Sequence, residues 1–112
     1  MNYKIPQIPP SYNKYAGREN TWQYRQDKAL WMQLVLAYCR PVPVKPYQRA
    51  VVMIEYHFRD RRRHDPDNYA GKFIMDGLVA AGIIADDSFD VVELYLRQGD
   101  PGGYTEVIVD EC

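Results

Sequence analysis

Arg59-Asp60-Arg61-Arg62-Arg63-His64-Asp65-Pro66-Asp67-Asn68, then a helical pattern, then Gly82-Ile83-Ile84-Ala85-Asp86-Asp87, is the stretch around which the rest of the chain can be placed. Arginines stand directly before Asp65 and Asp67, and a second carboxylate pair follows after about one helix. Carboxylates gathered beside arginines need a cation to relieve their repulsion, and a phosphodiester held by a magnesium ion would satisfy both kinds of charge. Upstream, Val52, Ile54, Tyr56 and Phe58 alternate with Val51, Met53, Glu55 and His57, the period of two that marks a strand with one buried face. That strand is predicted to be central, and it delivers the arginines and first aspartates to its end, where a rigid element supports a functional loop. His57, on the alternating strand, reads as a surface or packing residue.

Downstream, Asp67 or Asn68 can cap a helix running to Ala81, with Tyr69, Phe73, Gly77 and Ala80 on one stripe and Ile74, Leu78 and Ala81 on the next. Gly71 and Gly77 each cost roughly 1 kcal/mol in a helix interior, which points to close packing against another backbone, and Gly82 is the stop. Val91 to Leu96 and Tyr104 to Val109 read as strands joined through Gln98-Gly99-Asp100-Pro101-Gly102-Gly103 as a hairpin. Toward the N-terminus, residues 3 to 8 read as an edge strand, because Pro6 cannot donate to an interior ladder. A loop over 12 to 18 carries Lys14 and Arg18, and Asn20 caps a helix from Trp22 to Tyr38 with apolar positions at Leu30, Leu34, Ala37 and Tyr38, flanked by Trp31 and Val35. The order β-α-β-α-β-β predicts one α+β domain spanning 1–112, with a mixed sheet and two main helices.

The formal net charge of −1 conceals a polarity: residues 1 to 64 hold 12 Lys and Arg against 4 Asp and Glu, and residues 65 to 112 hold 2 against 11. Such halves suggest a basic surface for a polyanion next to an acidic metal site, or opposite faces that attract each other across an oligomer. Ten tyrosines read chiefly as half-buried packing residues. Cys39 and Cys112 fit neither a zinc spacing nor a disulfide framework, and no stretch approaches the ~20 apolar residues of a membrane span, so a reducing cytoplasm and no membrane contact are expected.

Asp65-Pro66-Asp67-Asn68 is not an EF-hand, since Ala70 stands where the loop requires glycine and Tyr69 where it requires an oxygen ligand. Arg61-Arg62-Arg63-His64-Asp65-Pro66-Asp67-Asn68, the helix end Asp76-Gly77-Leu78-Val79-Ala80-Ala81-Gly82 and Ile84-Ala85-Asp86-Asp87 resemble the signature of the RusA family of Holliday-junction resolvases, and Pro9-Pro10-Ser11-Tyr12-Asn13-Lys14-Tyr15 is similar to that family's N-terminal motif. The resemblance implies a small two-fold dimeric endonuclease of bacterial or phage-encoded type. It would depend on magnesium, with manganese as a substitute, and would act on branched DNA such as four-way junctions. Asp65, Asp67 and Asp87 match the essential carboxylates, Asp86 adjoins them as a further metal ligand, and Lys72 is the counterpart of the functional lysine. Lys72 sits one residue further from Asp67 than in the family pattern, a rotation of roughly 100° on a helix. His64 replaces a common arginine and Pro66 a common leucine. Lys14, Arg18, Arg61, Arg62 and Arg63 are the expected phosphate contacts. Two other readings stay open: a branched-DNA-binding module without turnover, and a metal-dependent nuclease without junction preference.

A helix from Asn68 to Ala81 would be about 20 Å long, and the residues after Gly82 scarcely suffice to double back along it, whereas one ion spans only about 5 Å between opposite ligands. The expectation is therefore composite sites in a homodimer, Asp65 and Asp67 from one protomer and Asp86 and Asp87 from its partner, with Gly71 and Gly77 permitting the two helices to approach.

Overall fold

The computed structural model describes residues 1–15 and 21–112; Arg18 and the capping Asn20 lie outside the described residues. Four strands, β1 (Asn2–Ile5), β2 (Ala50–His57), β3 (Val92–Gln98) and β4 (Tyr104–Glu111), and two helices, α1 (Thr21–Tyr38) and α2 (Lys72–Ala80), follow the expected β-α-β-α-β-β order in a single α+β domain. The sheet is mixed, in the order β1-β4-β2-β3, with β2 parallel to β3 and antiparallel to β4. β2 is central and β1 is an edge strand, paired only with β4.

The hairpin expectation fails. β3 and β4 are not neighbours, because β2 runs between them. The β2-α2-β3 unit is a parallel crossover, and the chain then passes over the end of β2 to reach its other side. Strands two apart are about 10 Å from each other, a gap that five extended residues bridge easily. The crossing loop is tied to the strand it crosses, with the N–H groups of Gly99, Gly102 and Gly103 donating to the carbonyls of Tyr56, Phe58 and His57.

One face of the sheet carries the core, where Ile5, Val52, Ile54, Val107 and Val109 meet Trp31, Val35, Phe73, Ile74 and Leu78 of the helices. On α1 the buried stripe is Asp27, Trp31 and Val35 and continues to Cys39, one position off the predicted one, while Leu30 and Tyr38 are exposed. A carboxylate begins this stripe because its charge is satisfied inside the fold: Lys14 Nζ (2.9 Å) and Tyr15 Oη (2.6 Å) donate to Asp27 Oδ2, and Gln23 Nε2 donates to Oδ1. Burial pushes the Asp27 carboxyl up, but these donors together outweigh it and hold it below the usual carboxylate range.

α2 is shorter than predicted. Pro66–Asn68 form a separate 3₁₀ turn, and Gly71, at φ +87°, caps the helix proper, a left-handed conformation that favours glycine. At the other end Gly82 adopts φ +77°, its N–H donates to Val79 O and that of Ile83 to Leu78 O, the two bonds of a Schellman stop. Gly77 faces α1: a Cβ there would stand 2.6 Å from Val35 Cβ. The close approach that the glycines permit is thus within the chain, Gly77 on α1 and Gly71 on Ile54. Cys39 and Cys112 are both free thiols, and burial pushes the Cys39 thiol up to about 12. No helix among the described residues is long and apolar enough to cross a membrane.

Candidate functional site

β2 ends at His57, and the buried ring of Phe58, the next residue, organises the turn beyond the strand. His64 stacks on it (centroids 3.7 Å apart, 10° between planes) and Tyr69 meets it edge-on at 4.9 Å. The chain between Phe58 and His64 is closed by Asp60, which accepts the backbone N–H of Arg62 at 3.0 Å, the Arg62 Nε at 3.0 Å and His64 Nε2 at 3.3 Å. The Arg62 N–H foremost, with the Arg62 and His64 side chains, holds the Asp60 carboxyl below its ordinary range. His64, in the place of a common arginine, is therefore a packing residue. Asp60 escapes notice in the sequence because it reads there as one more charge in a charged run; the signal available is an aspartate two residues before an N–H it could cap.

Arg62 and Arg63 project into solvent, with side chains 84% and 88% exposed, and Arg61 is exposed as well. Arg63 donates to Asp65 Oδ1 at 3.0 Å. Asp65 caps nothing with its side chain; its carbonyl accepts the N–H of Asn68 at 3.0 Å, which starts the 3₁₀ turn carrying the exposed Asp67. Tyr56 Oη then donates to the Tyr69 carbonyl at 2.7 Å, anchoring the turn to the sheet just ahead of α2.

Lys72 is the first residue of α2. Its ammonium donates to both oxygens of Asp76 at 3.2 Å, one turn on, and its backbone N–H donates to Tyr12 Oη at 2.9 Å. The hydrogen bond to Asp76 first, then the charges of Asp76 and Asp87, keep Lys72 above the ordinary lysine range. Asp87 therefore lies near the start of the helix, not beyond its end. It shares with Tyr12, Lys72, Met75, Phe89 and Tyr95 the lining of an open cleft of about 1090 Å³ along the edge strand β3. Asp86 instead uses Oδ1 to accept the Asp87 N–H at 2.9 Å.

The structure thus brings together the N-terminal motif, Lys72 and Asp87. Three premises of the composite-site expectation change: α2 has nine residues, about 13 Å, Gly77 faces Val35 of the same chain, and Asp87 lines the cleft that also holds Lys72. Lys14, expected on phosphate, is paired with Asp27 at 2.9 Å, its side chain 44% exposed.

Asp65, Asp67, Asp86 and Asp87 offer only hard oxygen donors, the set that suits magnesium. Among the described residues, no three of them gather their oxygens within 4.8 Å; the group that does so is Glu55, His57 and Glu106. Magnesium keeps several waters and is commonly held by one or two carboxylates together with substrate phosphates, so the aspartates fit a site completed by a phosphodiester and not a ready-made cage. No family model matches the chain, and no curated protein matches it.

Proposed function

We propose that the chain is a magnesium-dependent endonuclease acting on branched DNA, four-way junctions in particular, with the working groups of each site drawn from one chain. The observation that carries this reading is the return of Asp87 to Lys72 at the start of α2, on one cleft with Tyr12, directly after a turn that displays Asp67 and the exposed Arg62 and Arg63.

Phosphodiester hydrolysis needs a water made nucleophilic and relief of the charge that grows on the phosphate oxygens. Magnesium, when bound by Asp65, Asp67 and Asp87, supplies Lewis acidity at the phosphate and lowers the pKa of a bound water. Lys72 stays an ammonium at neutral pH, so its role is to offset charge on the phosphate and not to accept a proton. Tyr12, by accepting the Lys72 N–H, fixes where the helix begins and so where that ammonium stands. Arg62 and Arg63 hang on self-capped turns and exchange weak surface carboxylate contacts for DNA phosphates at little cost.

The Lys72–Asp76 pair and the spread of the aspartates favour one second reading, a branched-DNA binder without turnover. A synthetic four-way junction, incubated with the protein and magnesium or manganese, separates the two. Paired nicks that vanish on chelation support the nuclease; binding with no nick at saturating protein leaves the binder; and displacement by excess linear duplex denies the junction preference. Paired nicking of a two-fold junction calls for two copies of the chain, which sedimentation of the protein with its junction measures.

A further inference from the structure

The open face of the sheet carries a second constellation, far in sequence from the aspartates. Glu55 and Glu106 are direct cross-strand partners on β2 and β4, so two carboxylates face each other, with Arg97 of β3 and Lys4 of β1 as their outer cross-strand neighbours. His57 lies two residues beyond Glu55 on the same face. Its ring stacks on Tyr104 at 4.1 Å and its side chain is only 7% exposed under the Gly99–Gly103 loop. Nδ1 is 2.7 Å from the Asp100 carbonyl, which can only accept, so Nδ1 carries a proton and Nε2 is the nitrogen turned toward the glutamates. Among the described residues, that Nε2 is the buried side-chain nitrogen or oxygen with no hydrogen-bond partner. Glu55 Oε1 stands 2.8 Å away without the alignment of a hydrogen bond, and Glu106 Oε1 stands at 4.0 Å.

We infer that Glu55, His57 and Glu106 form a binding site for a zinc-class divalent cation. Ligand atoms of the three lie within 4.8 Å of one another. Neighbouring ligands about 2.0–2.1 Å from one zinc ion lie roughly 3 Å apart, a spacing that a small closure of Glu106 achieves. An imidazole with carboxylates selects zinc over magnesium, and a metal-bound histidine ordinarily gives its other N–H to a carbonyl, as His57 does to Asp100. Glu55 is also oriented from behind: Arg97 Nε holds Oε2 at 3.2 Å, leaving Oε1 for the ion. Three protein ligands leave a fourth position for water. Through Asp100 the ion would pin the loop that crosses β2, and Gly103 of that loop packs on Arg59, the first of the arginine run.

The site is independent of the aspartates, so its test is too. Chelator-treated protein is titrated with zinc alone, bound metal per chain is counted by mass spectrometry, and cobalt is used as a coloured substitute. One equivalent is expected, with a tetrahedral cobalt spectrum. Glu106→Gln, on a partly exposed side chain, is expected to weaken zinc on the order of 100-fold, and Arg97→Ala about tenfold, while Asp67→Asn leaves it unchanged. Histidine ¹⁵N resonances of the native chain guard against misfolding of a variant: zinc shifts Nε2 of His57 strongly and Nδ1 little. Retention of zinc by Glu106→Gln, its loss in Asp67→Asn, or an unmoved His57 Nε2 overturns the inference and reduces the cluster to an imidazole–carboxylate contact. None of these results bears on junction cleavage with magnesium.

Discussion

Two meetings of cation and carboxylate, about 35 residues apart in sequence, behave in opposite ways. Asp27 is enclosed, its side chain 12% exposed, and Lys14, Tyr15 and Gln23 converge on it from two segments. The Arg62–Asp60 and Arg63–Asp65 pairs have nearly the same 3.0 Å separation, but the arginines stand in water. Distance alone therefore does not tell an enclosed ion pair from a solvent-exposed one. In the first, a lost donor leaves the enclosed Asp27 carboxylate short of a partner; in the second, water or a phosphate takes the vacated place.

The largest effect that could break this contrast belongs to the exposed carboxylates. Asp67→Asn and Asp87→Asn are each expected to lower junction nicking about 1000-fold, equivalent to about 4 kcal/mol, while unfolding free energy stays within about 0.5 kcal/mol of the parent. Mixing the two inactive proteins with verified subunit exchange is expected to restore nothing if, as proposed, each site draws its groups from one chain; reappearance of single-strand nicking would establish the composite arrangement.

Asp27→Ala comes next, with a loss of about 2 kcal/mol in urea unfolding, because it removes the acceptor of the Tyr15 hydroxyl and the Lys14 ammonium, the latter partly compensated by water. The pH dependence sharpens the assignment. The folded-state pKa of Asp27 is depressed, so the unfolded chain takes up the proton first on acidification. Its contribution is present above the ordinary value of about 3.9 and disappears as pH falls through the folded value. Asp27→Asn should flatten that acid limb, and an unaltered limb would assign it to other carboxylates. Gly77→Ala should cost about 2 kcal/mol, since Val35 leaves no room for a methyl group; differential scanning calorimetry reads it as a lowered Tm. The smallest change is expected of Arg62→Ala, for which stability stays within about 0.5 kcal/mol and the salt dependence of junction binding loses roughly one unit of slope. An unchanged slope with lost stability would place Arg62 with Asp27 as a structural partner.

Much of the fold is legible because it rests on local signals. The alternation of Val52, Ile54 and Tyr56 makes β2 a strand with one buried face, Gly82 ends α2 through its own left-handed conformation, and Pro6 marks β1 as an edge strand, although that strand stops at Ile5 and not at residue 8. The α1 stripe reads one position off because an aspartate opens it, and nothing near Asp27 in sequence announces that Lys14 and Tyr15 fold back to it. Glu55-Tyr56-His57 places two potential ligands on one face of a strand, but the third, Glu106, joins them only through the β2–β4 register.

By itself, then, the sequence determined the order and kind of the elements, the charge polarity and the candidate carboxylates, all properties of residues and their near neighbours. Only the tertiary structure decided that β3 and β4 flank β2, that Asp87 returns to Lys72, that Lys14 is claimed by Asp27, and that His57 stands between two glutamates. The reason is physical: strand pairing and charge burial are set by which distant surfaces exclude water together, and a six-residue glycine-rich turn is compatible with both a hairpin and a crossing.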